Sequence, residues 1–454
     1  MQPQTRSLRL ERFDPLALFL ALVPDGPGFL ESPAPVGRIS RFSIVPLRWQ
    51  ESYRLDEQGL HCLHKGSRRI LAGDPFATLE AILAERRIPP TAENLPFPGG
   101  FFGYCGYDLA GRIEHLPRRA DRDRPVPELW LTWVDASACY DHQQQFLTLA
   151  SLDPQLDLAV LQEQVLAALQ TPVALPGAIT LELTQPLLTQ NAFEQRVARA
   201  RDYIAAGDIY QANLSCRFDG RYQGSAATLY SRLRQVNPSP FACLLRSPGL
   251  EIISSSPERL VSLNKGIAET RPIAGTRPRG YTPPEDQQLG EELLSHPKER
   301  AEHVMLLDLE RNDLGKVCKP GTVEVDELMV LERYSHVTHI VSNVRGELRD
   351  DLGPFALLRA TFPGGTITGV PKKRCMEIID ELEPVGRGSY TGSAGYIGAS
   401  GDMDLNILIR SFQKFGEELT YQVGAGIVAD SDPEREWHEC LAKGMALRRA
   451  LEAP

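Results

Sequence analysis

The chain has 454 residues, of which 42% are hydrophobic and 24% charged, and a net charge of −10 at neutral pH. That describes a globular protein with a large buried core, divided into two or three lobes. The acidic balance, with a pI near 5.5, argues against a broad nucleic-acid surface, whereas a small anion needs only a local cluster of donors.

The eight cysteines are scattered without a Cys-x-x-Cys pair, a pattern of reduced thiols rather than of disulfides or a zinc site. The longest early apolar run, Pro15 to Val23, is too short to span a bilayer, and the preceding Glu11 and Asp14 make it a poor signal peptide. A cytoplasmic protein with no membrane partner is expected.

The first ~150 residues alternate in polarity between Gly and Pro punctuation, which predicts a strand-rich segment. FSIVPLRW (42–49), LWLTWVDASACY (129–140) and QFLTLASL (145–152) read as strands, and FPGGFFGYCGYDLAG (97–111) as a glycine-rich turn region. A helix over 154–170 leads to a boundary near 172–185, giving an N-terminal region 1–172 and a second region 185–452 that interleave into one unit. The second region opens on a helix with Asn191 as N-cap, Glu194 completing a capping box, Phe193, Val197, Ala200 and Ile204 as its apolar stripe, and Gly207 as its stop. Strands follow at 211–218, 241–246, 250–256 and 259–263, then helices near 284–313. The chain closes on strands at 390–398, 402–412 and 419–429 and a final helix. Ser431 reads as the N-cap of that helix, with Pro433 in its first turn, Glu434 closing a capping box, and Trp437, Cys440, Leu441 and Gly444 as its buried stripe.

Two Glu-x-x-Glu steps carry the chemistry: Glu299 and Glu302 in PKERAEHVMLL, and Glu436 and Glu439 in DPEREWHECLAK. On a helix, residues three apart share a face. Alone, such steps describe solvated helix faces; converging on one cavity, four carboxylates would need a cation between them, and oxygen-only ligation suits Mg²⁺. Arg410, in the apolar run ILIRSF, needs a carboxylate partner, either intramolecular or on a ligand. His336 and His339 lack the further Cys or His of a zinc site, which leaves one histidine as an acid/base group or a satisfied core residue. FPGGTITGVPKKR (362–374) departs from the nucleotide-binding phosphate loop at Val370 and Pro371, yet its Gly-Gly-Thr turn, like Gly424, Ala425 and Gly426, offers donors to a carboxylate.

GDIYQANLS (207–215), SSSPERL (254–260), ETRPIAGTRPRG (269–280), AEHVMLLDLERNDLG (301–315), ERYSHVTHIVSNVRGEL (332–348), FPGGTITGVPKKRCMEIIDELEP (362–384) and VGAGIVADSDPEREWHE (423–439) resemble, in order, the signature blocks of the chorismate-utilising enzymes. The resemblance implies an α+β fold, a large mixed β-sandwich core wrapped by helices. It implies Mg²⁺ held directly by Glu302 and Glu439, with Glu299 and Glu436 acting directly or through water. Thr366, Thr276, Tyr390, Arg410, the Gly424, Ala425 and Gly426 amides and Lys443 match positions that grip the carboxylates and enolpyruvyl group of chorismate. His339 matches the histidine beside the reacting ring.

Water-using branches of the family carry a lysine base where this chain has Gln211. Glutamine cannot deprotonate water, so ammonia fits better as the nucleophile, supplied by a separate glutamine amidotransferase subunit. The N-terminal blocks LPFPGGFFGYCGYDLAGRIEHLP, SRFSIV and VDASACYDHQQQFLTL resemble aminodeoxychorismate synthase component I, the branch leading to p-aminobenzoate and folate. Ala274 stands where many members of that branch carry a nucleophilic lysine, and alanine there resembles anthranilate synthase component I, the alternative. Finally, GFLES resembles the tryptophan-binding motif of these proteins, with Leu30, Glu31 and Ser32 on one wall and Asn237, Pro240 and Phe241 on the other. Phe241 and Ala242, in place of tyrosine and methionine, predict weak regulation there.

Overall fold

A computed structural model of the chain describes residues 2–452, except for 33–38, 40, 91–94, 173–174, 176–179 and 334–336 and the side chain at 183. Among the described residues, 22 strands join one hydrogen-bonded ladder, and all pairings between these strands are antiparallel. The fold is α+β.

The ladder interlocks the two ends of the chain. Gly28–Glu31 pairs with Phe241–Ser247, and Gly100–Cys105 lies between Leu129–Asp141 and Ser393–Gly398. The sequence reading makes this glycine-rich stretch a turn; it is a fully buried strand. Its glycines mark close backbone approach rather than reversal. A Cβ on Gly103 would meet the Trp130 carbonyl at 2.1 Å, and one on Gly100 the Ile397 carbonyl at 2.5 Å.

Helices cover the ladder where apolar stripes meet it. Gln190–Ala205 buries Phe193, Val197 and Ala200, and Gly207 leaves it with φ +81°. Its cap is Thr189, whose hydroxyl accepts from the Ala192 amide at 3.2 Å, rather than Asn191, because the chain turns helical two residues earlier than the capping-box pattern suggests. Leu158–Gln170 is capped by Asp157. Pro283–Ser295 and Pro297–Gly315 occupy the stretch expected to be helical.

The closing helix, Pro433–Glu452, buries Trp437, Cys440, Gly444 and Leu447. Asp432, not Ser431, caps it: its carboxylate accepts from the Arg435 amide at 3.0 Å. Ser431 instead accepts from the Val428 amide at 3.0 Å and so fixes the turn that precedes the helix. Among the described residues no helix is long and apolar enough to cross a membrane.

Candidate active site

The two carboxylate helices rest on strands far apart in the ladder, Pro297–Gly315 against Ile273–Pro278 and Val337–Glu347, and Pro433–Glu452 against Glu418–Ile427. The sheet's closure brings their acids together. Burial raises the pKa of Glu302; Lys298 opposes that rise, while Glu299, Glu439 and Glu436 add to it. Glu436 is raised by burial and by Glu439, against a hydrogen bond from Ser431. The four glutamates of the two steps therefore share one electrostatic neighbourhood.

Cations already answer part of this negative charge. Lys443 Nζ lies 2.7 Å from Glu439, Lys298 Nζ 3.9 Å from Glu302, and Arg277 Nη1 3.2 Å from Glu299. Among the described residues no three His, Cys, Asp or Glu side chains are drawn together tightly enough to ligate a metal. The donor set nonetheless fits Mg²⁺: all oxygen, mutually repelling and partly desolvated.

Facing the acids is a set of groups suited to carboxylates. Arg410 lies not within a strand, as its apolar neighbours suggest, but in the break between Met403–Asn406 and Ser411–Phe415. Its φ is +53°, a conformation uncommon outside glycine and characteristic of functional positions. Burial lowers its pKa, opposed by Tyr390 and Glu258. Among the described residues it has no ion-pair partner, which favours a carboxylate of a ligand over an intramolecular bridge. Tyr390 is buried. Lys443 Nζ also donates to the Gly424 carbonyl at 3.1 Å.

That contact shows how the Gly424–Gly426 strand presents itself. Gly424 turns its backbone groups off the ladder, and by the antiparallel alternation so does Gly426, opposite Asn213, whose own amide donates elsewhere, to Thr368. Ala425, in register with Leu214, commits its amide to the ladder, so of the three expected donors only the glycines face the site. Beneath them Arg387, 1% exposed, pairs with Glu383 and donates to the carbonyls of Asn213 and Ile367. It thereby ties the floor of the site to the Gly-Gly-Thr turn.

His339 is half-buried and its pKa is lowered, chiefly by burial. Nδ1 lies 3.2 Å from the Gly275 carbonyl and 2.9 Å from Thr276 Oγ1. A carbonyl only accepts, so Nδ1 carries the proton and Nε2 is the basic nitrogen. Thr276 is thus engaged with the histidine. Ala274 is half-buried on the same strand, and a Cβ on the intervening Gly275 would meet Glu299 Oε2 at 2.9 Å. His336 lies outside the described residues.

The sequence reading overlooks Glu258. This glutamate is 7% exposed, and burial pushes its carboxyl up to about 7 against the pull of Thr366, Lys443 and Arg410. Thr366 Oγ1 donates to it at 2.7 Å, so Thr366 serves the glutamate. A signal was available: an acidic residue in SSSPERL, between two strands otherwise apolar or serine-rich, is costly to bury without a task. Glu310, on the Pro297–Gly315 helix, is pushed up to about 8 by burial and by Asp313. Lys372, the one lysine that a phosphate loop would need, is spent on Asp313 at 2.5 Å.

The GFLES wall is separate. A cavity of about 250 Å³ is lined by Leu30, Glu31, Ser32, Pro240 and Phe241 together with Arg259 and Asp404. Ser32 Oγ donates to the Pro240 carbonyl at 2.8 Å, and Glu31 is held by Tyr230 and Arg234. Asn237 lies outside the lining and braces the turn through Ser239 and Ser255.

An arginine, a lysine, outward glycine amides, a buried carboxyl of raised pKa and four converging acids define an enzyme for a small carboxylate-bearing substrate. The chain belongs to the chorismate binding enzyme family, whose pattern matches residues 46–449. It is 51% identical over 362 residues to an anthranilate synthase component I-like protein of Synechocystis sp., covering 79% of this chain and 74% of the relative. Aminodeoxychorismate synthase component 1 of Bacillus subtilis is 42% identical over 388 residues, 84% of this chain and 83% of that protein. The crystal structure of anthranilate synthase component I from Streptococcus pneumoniae superposes with a TM-score of 0.80 at 32% identity, covering 91% of this chain and 93% of that one.

Proposed function

We propose that the chain aminates chorismate, exchanging the ring hydroxyl for ammonia delivered by a glutamine amidotransferase subunit, and yields 4-amino-4-deoxychorismate. The observation that carries the amination is Gln211. The buried residue on the floor of the site, at the position of the lysine base of the water-using branches, is a neutral amide, which cannot deprotonate water. Ammonia is a nucleophile as it stands.

In this reading Arg410 and Lys443, with the Gly424 and Gly426 amides, hold the carboxylates of chorismate. Mg²⁺, held by Glu302 and Glu439 with Glu299 and Glu436 directly or through water, would supply positive charge to the ring carboxylate. Glu258 is the proton donor. As ammonia's lone pair forms the C–N bond and the ring C–O bond breaks, the hydroxyl leaves as water with the Glu258 proton. The ammonium so formed returns one proton to the carboxylate, so chorismate and ammonia give the amine and water.

The N-terminal blocks and the B. subtilis relative favour the aminodeoxychorismate product. Ala274 and the relatives named anthranilate synthase favour the other branch, in which His339, as a neutral base, would assist loss of pyruvate. Incubation with chorismate, Mg²⁺ and an ammonium salt separates the two. Aminodeoxychorismate appears as p-aminobenzoate only after a separate lyase is added, whereas direct release of fluorescent anthranilate and pyruvate would replace the first reading with the second. The cavity beside Glu31 and Ser32 is proposed as a tryptophan site, tested by calorimetric titration with tryptophan.

A further inference from the structure

Residues two apart on a strand share a face, and Gln211 and Asn213 begin the strand Gln211–Gln223. Both side-chain oxygens, Gln211 Oε1 and Asn213 Oδ1, are buried and have no hydrogen-bond partner among the described residues. Gln211 is 8% exposed. Buried amide oxygens are ordinarily paired, and an orphan calls for an explanation; two on one face call for a common one.

The neighbouring backbone makes room for them. A Cβ on Gly424 would lie 2.6 Å from Asn213 Oδ1 and 2.9 Å from the Tyr390 hydroxyl, and one on Gly426 would lie 2.5 Å from Gln211 Nε2. The two glycines leave room for both amides against the Glu418–Ile427 strand, Gln211 at Gly426 and Asn213 at Gly424, whose carbonyl accepts from Lys443. The result is a pair of buried, unpartnered acceptors side by side on one strand face, next to the two glycines of the active site.

We infer that Gln211 and Asn213 form the subsite for neutral ammonia, a step that rests on the amination proposed above. Two amide oxygens accept two of the three N–H groups of ammonia and leave its lone pair free. Ammonium, by contrast, has no lone pair to offer, and two neutral amides give it no counter-charge. A carboxylate at either position would do the reverse, attracting ammonium and holding it unreactive.

The test uses the full chain with ammonium sulfate as the ammonia source, at constant pH and saturating chorismate. Gln211→Met and Asn213→Leu each remove an acceptor while nearly keeping volume. Each should raise the KM for free ammonia about tenfold, the loss of one hydrogen bond, with the KM for chorismate within about twofold of wild type. The two variants are read independently, so failure of one to fold leaves the other decisive. An unchanged ammonia KM, or an equal rise in both Michaelis constants, overturns the subsite while the amination stands. A wild-type protein that forms no amine from chorismate and ammonia overturns both.

Discussion

Replacing Glu258 by glutamine should damage the enzyme and stabilise the protein together. The carboxyl ordinarily titrates near 4.5 and is pushed up to about 7 by burial. Below pH 4.5 it is protonated both folded and unfolded, so its burial costs nothing through ionisation. Between 4.5 and 7 the unfolded chain releases the proton while the folded chain keeps it, and stability falls with rising pH. Above 7 the loss levels off at about 3 kcal/mol, from roughly 1.4 kcal/mol per pH unit. Glu258→Gln removes that loss. The variant should match wild type near pH 4 and exceed it by about 3 kcal/mol at pH 8 in urea unfolding.

Turnover should move the other way, falling by about 10²- to 10⁴-fold, the usual contribution of a positioned proton donor and equivalent to about 3–5 kcal/mol of barrier. Wild-type turnover, at constant free ammonia, should decline above pH ~7 as the donor ionises, and the residual activity of the variant should lose that limb. Wild-type turnover in Glu258→Gln at pH 7, or a variant less stable than wild type at pH 8, would refute the reasoning.

Glu302→Gln or Glu439→Gln should abolish turnover while circular dichroism stays native, since each removes a charge from the expected Mg²⁺ set; wild-type turnover at saturating Mg²⁺ would strike that residue from the set. Arg410→Lys should raise the KM for chorismate by about 10- to 100-fold, because an ammonium cannot reproduce the bidentate fork, and unchanged kinetics would make Arg410 a structural residue. Ala274→Lys should lower amination at least about tenfold by filling the space beside Thr276 and His339 in a site arranged for direct attack. A rise would instead show that a covalent lysine route is latent in this pocket.

The sequence carried periodic elements well. The stripe of Phe193, Val197 and Ala200 reports burial directly, because each residue's environment follows from its neighbours in sequence, whereas the strand expected at 129–140 is buried on both faces. Positions set by contacts distant in sequence were less legible. The strand Gly100–Cys105 looked like a turn because its glycines answer to the carbonyls of Trp130 and Ile397, neither visible locally. Helix starts slipped by one or two residues where two polar side chains competed for one cap, Thr189 over Asn191 and Asp432 over Ser431. In the site, the paired acids announced themselves by helical spacing. Glu258 did not, since one glutamate in a serine-rich run gains its meaning only from the burial that raises its pKa and from Thr366 across the fold. The distinction between Ala425 and its flanking glycines likewise depends on register with the 211–223 strand.

The central claim is that this site replaces a ring hydroxyl of chorismate with ammonia. The most direct test is mass spectrometry of the product formed from chorismate, Mg²⁺ and ¹⁵N-labelled ammonium. The account predicts a product that carries one ¹⁵N and lacks one hydroxyl, formed only when ammonium is present. A product formed equally well without ammonium, carrying no ¹⁵N and an oxygen taken up from labelled water, would contradict it.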